Sequence, residues 1–141
     1  MVRPYDPSID GFLAYKPGWS GGLTTVEDGN GYWVSMLSDD TLTVTGTTMP
    51  EPPSPPLSYD VAEGWNPISF TSTEEIANKV YLANLIDDGS PNYDILYGFN
   101  AEEQEYYLVY FRFLGGEGGN MEPGYGYWLW ATAEGTIMPP T

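Results

Sequence analysis

The 141-residue chain has no cysteine and no histidine. The first absence excludes disulfides, thiolate metal sites and thiol nucleophiles. The second removes the commonest general base and the commonest transition-metal ligand. Basic residues are scarce as well: Arg3, Lys16, Lys79 and Arg112 stand against 20 acids, for a net charge of −16. Such a chain repels phosphate backbones and anionic lipid surfaces, so neither nucleic acid nor membrane is an expected partner. There is no long apolar run; Met1-Val2-Arg3-Pro4-Tyr5 lacks the segment an export signal needs, and no membrane insertion is expected. No Asn-x-Ser/Thr acceptor occurs, and Gly115–Gly119 has no basic partner that would make it a phosphate loop. Carboxylates are plentiful, but no motif pairs two of them for glycoside chemistry. The chain is therefore not expected to be an enzyme.

What is present is aromatic and turn-rich. Twelve Tyr, five Trp and five Phe accompany 17 Gly and 13 Pro. Strand-forming aromatics punctuated by turn formers favour an all-β fold. The most informative feature is a repeat. Val26-Glu27-Asp28-Gly29-Asn30-Gly31-Tyr32-Trp33-Val34 returns as Met121-Glu122-Pro123-Gly124-Tyr125-Gly126-Tyr127-Trp128-Leu129, a constant offset of 95 residues from Trp33 to Trp128. Phe12–Tyr15 falls on Tyr107–Tyr110, and Thr41-Leu42 on Thr136-Ile137. Self-similarity at a fixed period marks a modular array. Nothing upstream of Gly11 corresponds to Gly64–Ile95, so the chain holds one complete unit and part of another.

Three segments follow: a partial module over 1–48, a linker over 49–56 and a complete module over 57–141. The linker, Met49-Pro50-Glu51-Pro52-Pro53-Ser54-Pro55-Pro56, has five prolines in eight residues and favours polyproline II. In the partial module, Phe12–Tyr15, Gly31–Leu37 and Thr41–Gly46 read as strands, with Tyr32, Val34 and Met36 on a core face. In the complete module Gly64–Phe70 reads as a strand that begins at Pro67 or lies at a sheet edge, because proline cannot donate to a ladder. Ser72-Thr73-Glu74-Glu75 has the form of a capping box, so one helix is expected over Thr73–Leu85 with Ile76, Val80 and Ala83 on one face. Tyr106–Phe113 reads as a central strand covered on both sides, and Tyr127–Thr132 as a strand launched by the Gly124-Tyr125-Gly126 turn. The expected architecture is all-β: an antiparallel β-sandwich or open barrel with one short helix, plus a partial second copy.

Gly64-Trp65-Asn66-Pro67-Ile68-Ser69, followed by Glu122-Pro123-Gly124-Tyr125-Gly126-Tyr127-Trp128, resembles a β module recurring in secreted and envelope proteins of archaea and bacteria. That module opens Gly-Trp-Asn-hydrophobic-Ile-Ser, closes Pro-Gly-x-Gly-Tyr-Trp, and occurs in S-layer-like and adhesin-like chains. The resemblance spans roughly 57–137, with a partial copy over 11–46. This chain departs from it at Pro67, where leucine is usual, and at Asp28, where proline is usual. It implies an extracellular or cell-surface location and a structural part in an S-layer, stalk or filament, and it brings no catalytic residues.

Two sets of residues are candidates for binding. Trp128 and Trp130 share a strand face and, with Trp19 in a Pro-Gly-Trp turn, could stack on sugar rings; polysaccharide is the alternative partner. Asp87, Asp88 and Asp94, near Asn92, offer oxygens to Ca²⁺, the one cofactor considered, without the spacing of an EF-hand. Otherwise the expected partner is the protein itself or neighbouring modules. Two or three strands alone are marginal in water, so residues 1–48 must pack within the chain or on a second subunit. Head-to-tail association through strand pairing or a shared core is the expectation.

Overall fold

The structure is a computed structural model that describes residues 2–6, 11–12, 16, 18, 22–46, 57–115 and 118–140. In chain order the strands are β1 (Val2–Asp6), β2 (Gly11–Phe12), β3 (Tyr32–Val34), β4 (Tyr59–Val61), β5 (Gly64–Ser69) and β6 (Ile76–Ala77). A single helical turn, α1 (Asn78–Tyr81), comes next. It is followed by β7 (Ile86–Asp87), β8 (Ser90–Pro91), β9 (Tyr93–Asn100), β10 (Glu105–Phe111), β11 (Asn120–Met121), β12 (Gly126–Ala131) and β13 (Gly135–Ile137). The fold is all-β. Its main element is a four-stranded antiparallel sheet in the order β10-β9-β12-β5.

Local chemistry accounts for the turns that set this sheet. At the β9–β10 hairpin the Asn100 side-chain oxygen accepts from the Glu102 and Glu103 N–H groups, and Gln104 takes a left-handed φ of 56°. Asparagine at such a turn replaces a backbone acceptor with its own side chain. Before β12, the Tyr125 N–H reaches back to the Glu122 carbonyl, with Pro123 and Gly124 between them and Gly124 at φ 85°. Proline followed by a positive-φ glycine is the type II pattern. A bulge between Leu108 and Tyr110 turns the consecutive residues Val109 and Tyr110 both inward.

Alternation separates the two faces of the sheet. Asn66 and Ile68 on β5, Leu96 on β9, and Tyr127, Leu129 and Ala131 on β12 are buried. Against them pack Phe70, Tyr81, Leu82, Leu85, Met121 and Ile137. Phe70 directly follows β5; the others come from α1, the turn after it and the short ladders β6–β11 and β4–β13, which form the second layer. Each fully buried leucine contributes about 1.5–3 kcal/mol, so the stabilising core belongs to the complete module.

The helix is far shorter than the capping box implies. The Ser72 hydroxyl accepts from the Glu74 N–H, and the Glu75 carboxylate takes a hydrogen bond from the Asn120 amide on β11. Both polar groups of the expected box are thus engaged elsewhere, and Ile76–Ala77 is recruited into a ladder with Asn120–Met121. The inward side is Asn78, Tyr81, Leu82 and Leu85, while Val80 and Ala83 face solvent.

In the partial module β1 pairs with both β2 and β3, giving the order β2-β1-β3. This mirrors β10-β9-β12 in strand sequence and antiparallel sense, and among the described residues it has no counterpart of β5. Gly31–Leu37 forms a strand only over Tyr32–Val34, and Thr41–Gly46 joins no sheet among the described residues. The expected core face also fails: Val34 is 50% and Met36 57% exposed, because no second layer covers them. The linker at 49–56 lies outside the described residues.

The partial module packs on the complete one within the same chain. The Gly31 N–H donates to the Pro67 carbonyl at 3.0 Å, and the Ser69 N–H donates to the Gly29 carbonyl at 3.1 Å. Strand β5 is outermost in its own sheet, where Pro67 is tolerated, and its free edge is partly closed by the repeat copy. A Cβ on Gly31 would stand 3.0 Å from the Ile68 carbonyl oxygen, so any side chain there would push the two backbones apart slightly.

Candidate functional site

The outer face of the four-stranded sheet is an aromatic surface. The β5–β12 register places Trp65 opposite Trp130 and Pro67 opposite Trp128. The β12–β9 register sets Trp128 beside Tyr97 and Trp130 beside Ile95. Across β9, Tyr97 faces Leu108 and Phe99 faces Tyr106. Side chains two apart on a strand share a face, so these residues form one surface carrying no charged side chain in a chain of net charge −16.

The rings meet mostly edge to face. Trp65 lies 5.2 Å from Trp130 at 70° and 6.1 Å from Trp128 at 90°. Phe99 and Tyr106 meet at 5.2 Å and 66°, Tyr97 and Tyr106 at 6.2 Å and 64°. Only the Trp65–Tyr97 pair approaches parallel, 30° at 6.1 Å. Edge-to-face geometry matches the positive edge of one ring to the negative face of another. Burial pushes the Tyr106 hydroxyl upward in pKa, opposed by a hydrogen bond from the Trp128 indole. Even so, Tyr106 is 54% and Leu108 45% exposed, so this corner of the surface is open.

Trp33, from the partial module, sits on this face. Its ring is 4.6 Å from Phe99 and 5.9 Å from Tyr106, edge to face with both. Gly126 carries no side chain on this row, and a Cβ there would make ordinary contact, 3.7 Å from the Ile68 carbonyl oxygen and 3.9 Å from the Gly31 Cα. At the same boundary Tyr59 donates to the Asp28 carboxylate at 3.2 Å. Burial, followed by the Asp28 charge, pushes the Tyr59 hydroxyl up to about 12.

The repeat positions match at atomic detail. The Glu27 N–H donates to the Tyr32 hydroxyl at 2.9 Å, and the Glu122 N–H donates to the Tyr127 hydroxyl at 2.7 Å. Gly29 and Gly124 take the same conformation, φ 82° and 85°. Trp33 is therefore the structural counterpart of Trp128, and it contacts the sheet that Trp128 belongs to.

Of the sequence candidates, Trp128 and Trp130 lie on the aromatic surface and Trp19 lies outside the described residues. The acidic candidates occupy separate local roles. Asp88 and Gly89 hold φ 47° and 77° at the tip of the β7–β8 hairpin, the two positive values an Asp-Gly type I′ turn requires. Asp87 pairs with Ser90 beneath it. Asp94 is 3.4 Å from Arg112. Asn92 is buried and tied inward: its N–H donates to the Leu85 carbonyl, its own carbonyl accepts from Thr132, and its side chain donates to the Glu134 carbonyl. Among the described residues no group of three or more Asp or Glu is arranged to hold a metal ion. Also among them, no helix is long and apolar enough to cross a membrane.

Sequence reading missed Trp33, Trp65, Tyr97, Phe99 and Tyr106 as members of one surface. Alternation within each segment was visible, but joining them needs strand order and register. Comparison with family models, curated proteins and solved structures finds no match for this chain.

Proposed function

We propose that this chain is a non-catalytic structural module of an extracellular or cell-surface array, an S-layer, stalk or filament subunit, in which modules join edge to edge and face to face. One observation carries the reading: a turn from one repeat copy closes the β5 edge of the other and seats its tryptophan on the aromatic surface. An uncharged surface rich in Trp and Tyr has the composition of an interface core. The acidity keeps the remaining surface soluble. Sedimentation velocity of the full chain over a wide concentration range tests the reading: concentration-dependent association is expected, and a strict monomer at high concentration counts against it.

The alternative is a carbohydrate-binding or adhesion module using Trp19, Trp128 and Trp130. The mutual angles of 70° and 90° that Trp65 makes with Trp130 and Trp128 suit edge-to-face packing better than a coplanar sugar platform. Retardation in gels containing insoluble polysaccharide, lost on Trp130→Ala, would favour it. Calcium at Asp87, Asp88 or Asp94 is a secondary element of the proposal. A ligand held only by the folded chain must raise the melting temperature, so an unchanged Tm with added calcium or EDTA removes it.

A further inference from the structure

We infer that the contact between the two repeat copies is exchangeable: residues 28–33 of one chain dock on the β5 edge and aromatic surface of a second copy, making an open head-to-tail assembly. This rests on the array reading and names the surface and partner it would use. Among the described residues the docking contact includes the Gly31–Pro67 and Ser69–Gly29 backbone hydrogen bonds, the Tyr59–Asp28 bond, and the seat of Trp33 on Phe99 and Tyr106. Every acceptor and ring in that set belongs to one of two units, and each unit has its own sheet, β2-β1-β3 in one and β10-β9-β12-β5 in the other. Among the described residues the partial module's sheet has no strand in the β5 position, and the β5 edge that its turn bonds presents the same atoms whichever chain supplies it.

Ten residues, 47–56, separate the units in sequence, and five of the eight over 49–56 are proline. A swapped contact is made of the same atoms as the closed one, so the two forms differ mainly in effective concentration and in spacer strain. The closed form is favoured in dilute solution and the open form at the high local concentration of an array. Because each chain both offers a 28–33 segment and presents a receiving surface, exchange need not close into a dimer. The contact is heterologous and propagates.

The absence of cysteine supplies the experiment. Asp28→Cys and Tyr59→Cys chains are prepared separately, checked by circular dichroism, mixed, and treated with a short bis-maleimide at rising protein concentration. The expected product is a covalent dimer containing one chain of each kind, increasing steeply with concentration. The doubly substituted chain should link within itself when dilute. Independently, adding Trp33→Ala to the cysteine variants weakens the closed and the exchanged contact alike, so it should lower the yields of the internal link and of the hetero-linked dimer together. If the unmodified chain associates but the mixed chains give no hetero-linked dimer, exchange is overturned while the array reading stands. If the unmodified chain never associates, both fall.

Discussion

Glu27–Met36 and Glu122–Ala131 begin alike and end differently. Both place a positive-φ glycine in the turn, and both bring a glutamate N–H onto a tyrosine hydroxyl five residues on. Beyond the tryptophan they part. Leu129 and Ala131 are fully buried between neighbouring strands and the second layer, whereas their counterparts Val34 and Met36 are half exposed. The turn is thus encoded within ten residues, and the length of the strand is set by what lies beside it. β-Propensity measures fit to a half-buried surface more than a property of the backbone alone, and here the surface is missing from one copy.

The comparison can be broken most strongly by alkali. Burial holds the Tyr93 hydroxyl up to about 12, with the Tyr110 phenol adding to the shift. Tyr59 rises to about 12 for burial and for the Asp28 charge, and Tyr127 is raised further, chiefly by burial. All three belong to the complete module. A group whose folded pKa exceeds its unfolded value contributes in full below the unfolded pKa, near 10 for tyrosine, and loses that contribution as pH rises towards 12. The complete module should therefore be stable to about pH 10 and unfold between there and 12. Tyrosinate absorbance should then appear together with the loss of circular dichroism. A gradual rise in absorbance with the fold intact would contradict the burial of these rings.

At neutral pH the sharpest pair is Leu129→Ala and Val34→Ala, repeat counterparts in different surroundings. The first should cost about 2–5 kcal/mol through the cavity it leaves, the second within about 0.5 kcal/mol. Urea denaturation measures both, and equal losses would show that Val34 is covered after all. Next come the glycines. Gly124→Ala meets open space and should cost only the left-handed strain, about 1–2 kcal/mol. Gly29→Ala bears the same strain and also drives a methyl into the Tyr59 ring. It should release the partial module, detected as faster exchange of the Gly31 amide with the complete module still folded. The smallest effects belong to the hydroxyls. Tyr127→Phe removes an acceptor from a part-buried N–H, about 1 kcal/mol. Tyr32→Phe, at an exposed bond, should cost less than half of that.

Local physics made part of this molecule legible in sequence. The repeat, its turns and the edge position of the Pro67 strand follow from residue types acting on their own backbone. The helix did not: Ser72 and Glu75 have the right spacing, but Asn120, 45 residues away, takes the Glu75 carboxylate, and Ile76 is drawn into a ladder. Thr41–Gly46 failed for the opposite reason. It alternates as a strand should, yet its counterpart Thr136-Ile137 is a strand because Asp60 and Tyr59 lie opposite, and no such partner faces Thr41 or Leu42 among the described residues. Two members of the candidate surface were visible, Trp128 and Trp130. The remainder, Trp33, Trp65, Tyr97, Phe99 and Tyr106, converges only through register across four strands and one crossing segment.

The placement of β5 also bears on how the chain is made. Its sheet partner β12 comes from the far end of the module, so during synthesis Gly64–Ser69 emerges well before the strand it will pair with. Such long-range pairing forms late, and an unpaired strand edge on a growing chain invites aggregation. Gly29–Gly31, by contrast, has already left the ribosome when β5 appears, and bonds to its opposite edge. The partial copy can therefore hold one edge of β5 as the chain is made, leaving only the other to wait for β12, and a tandem order of modules would give each newly made unit the tail of its predecessor as its first contact.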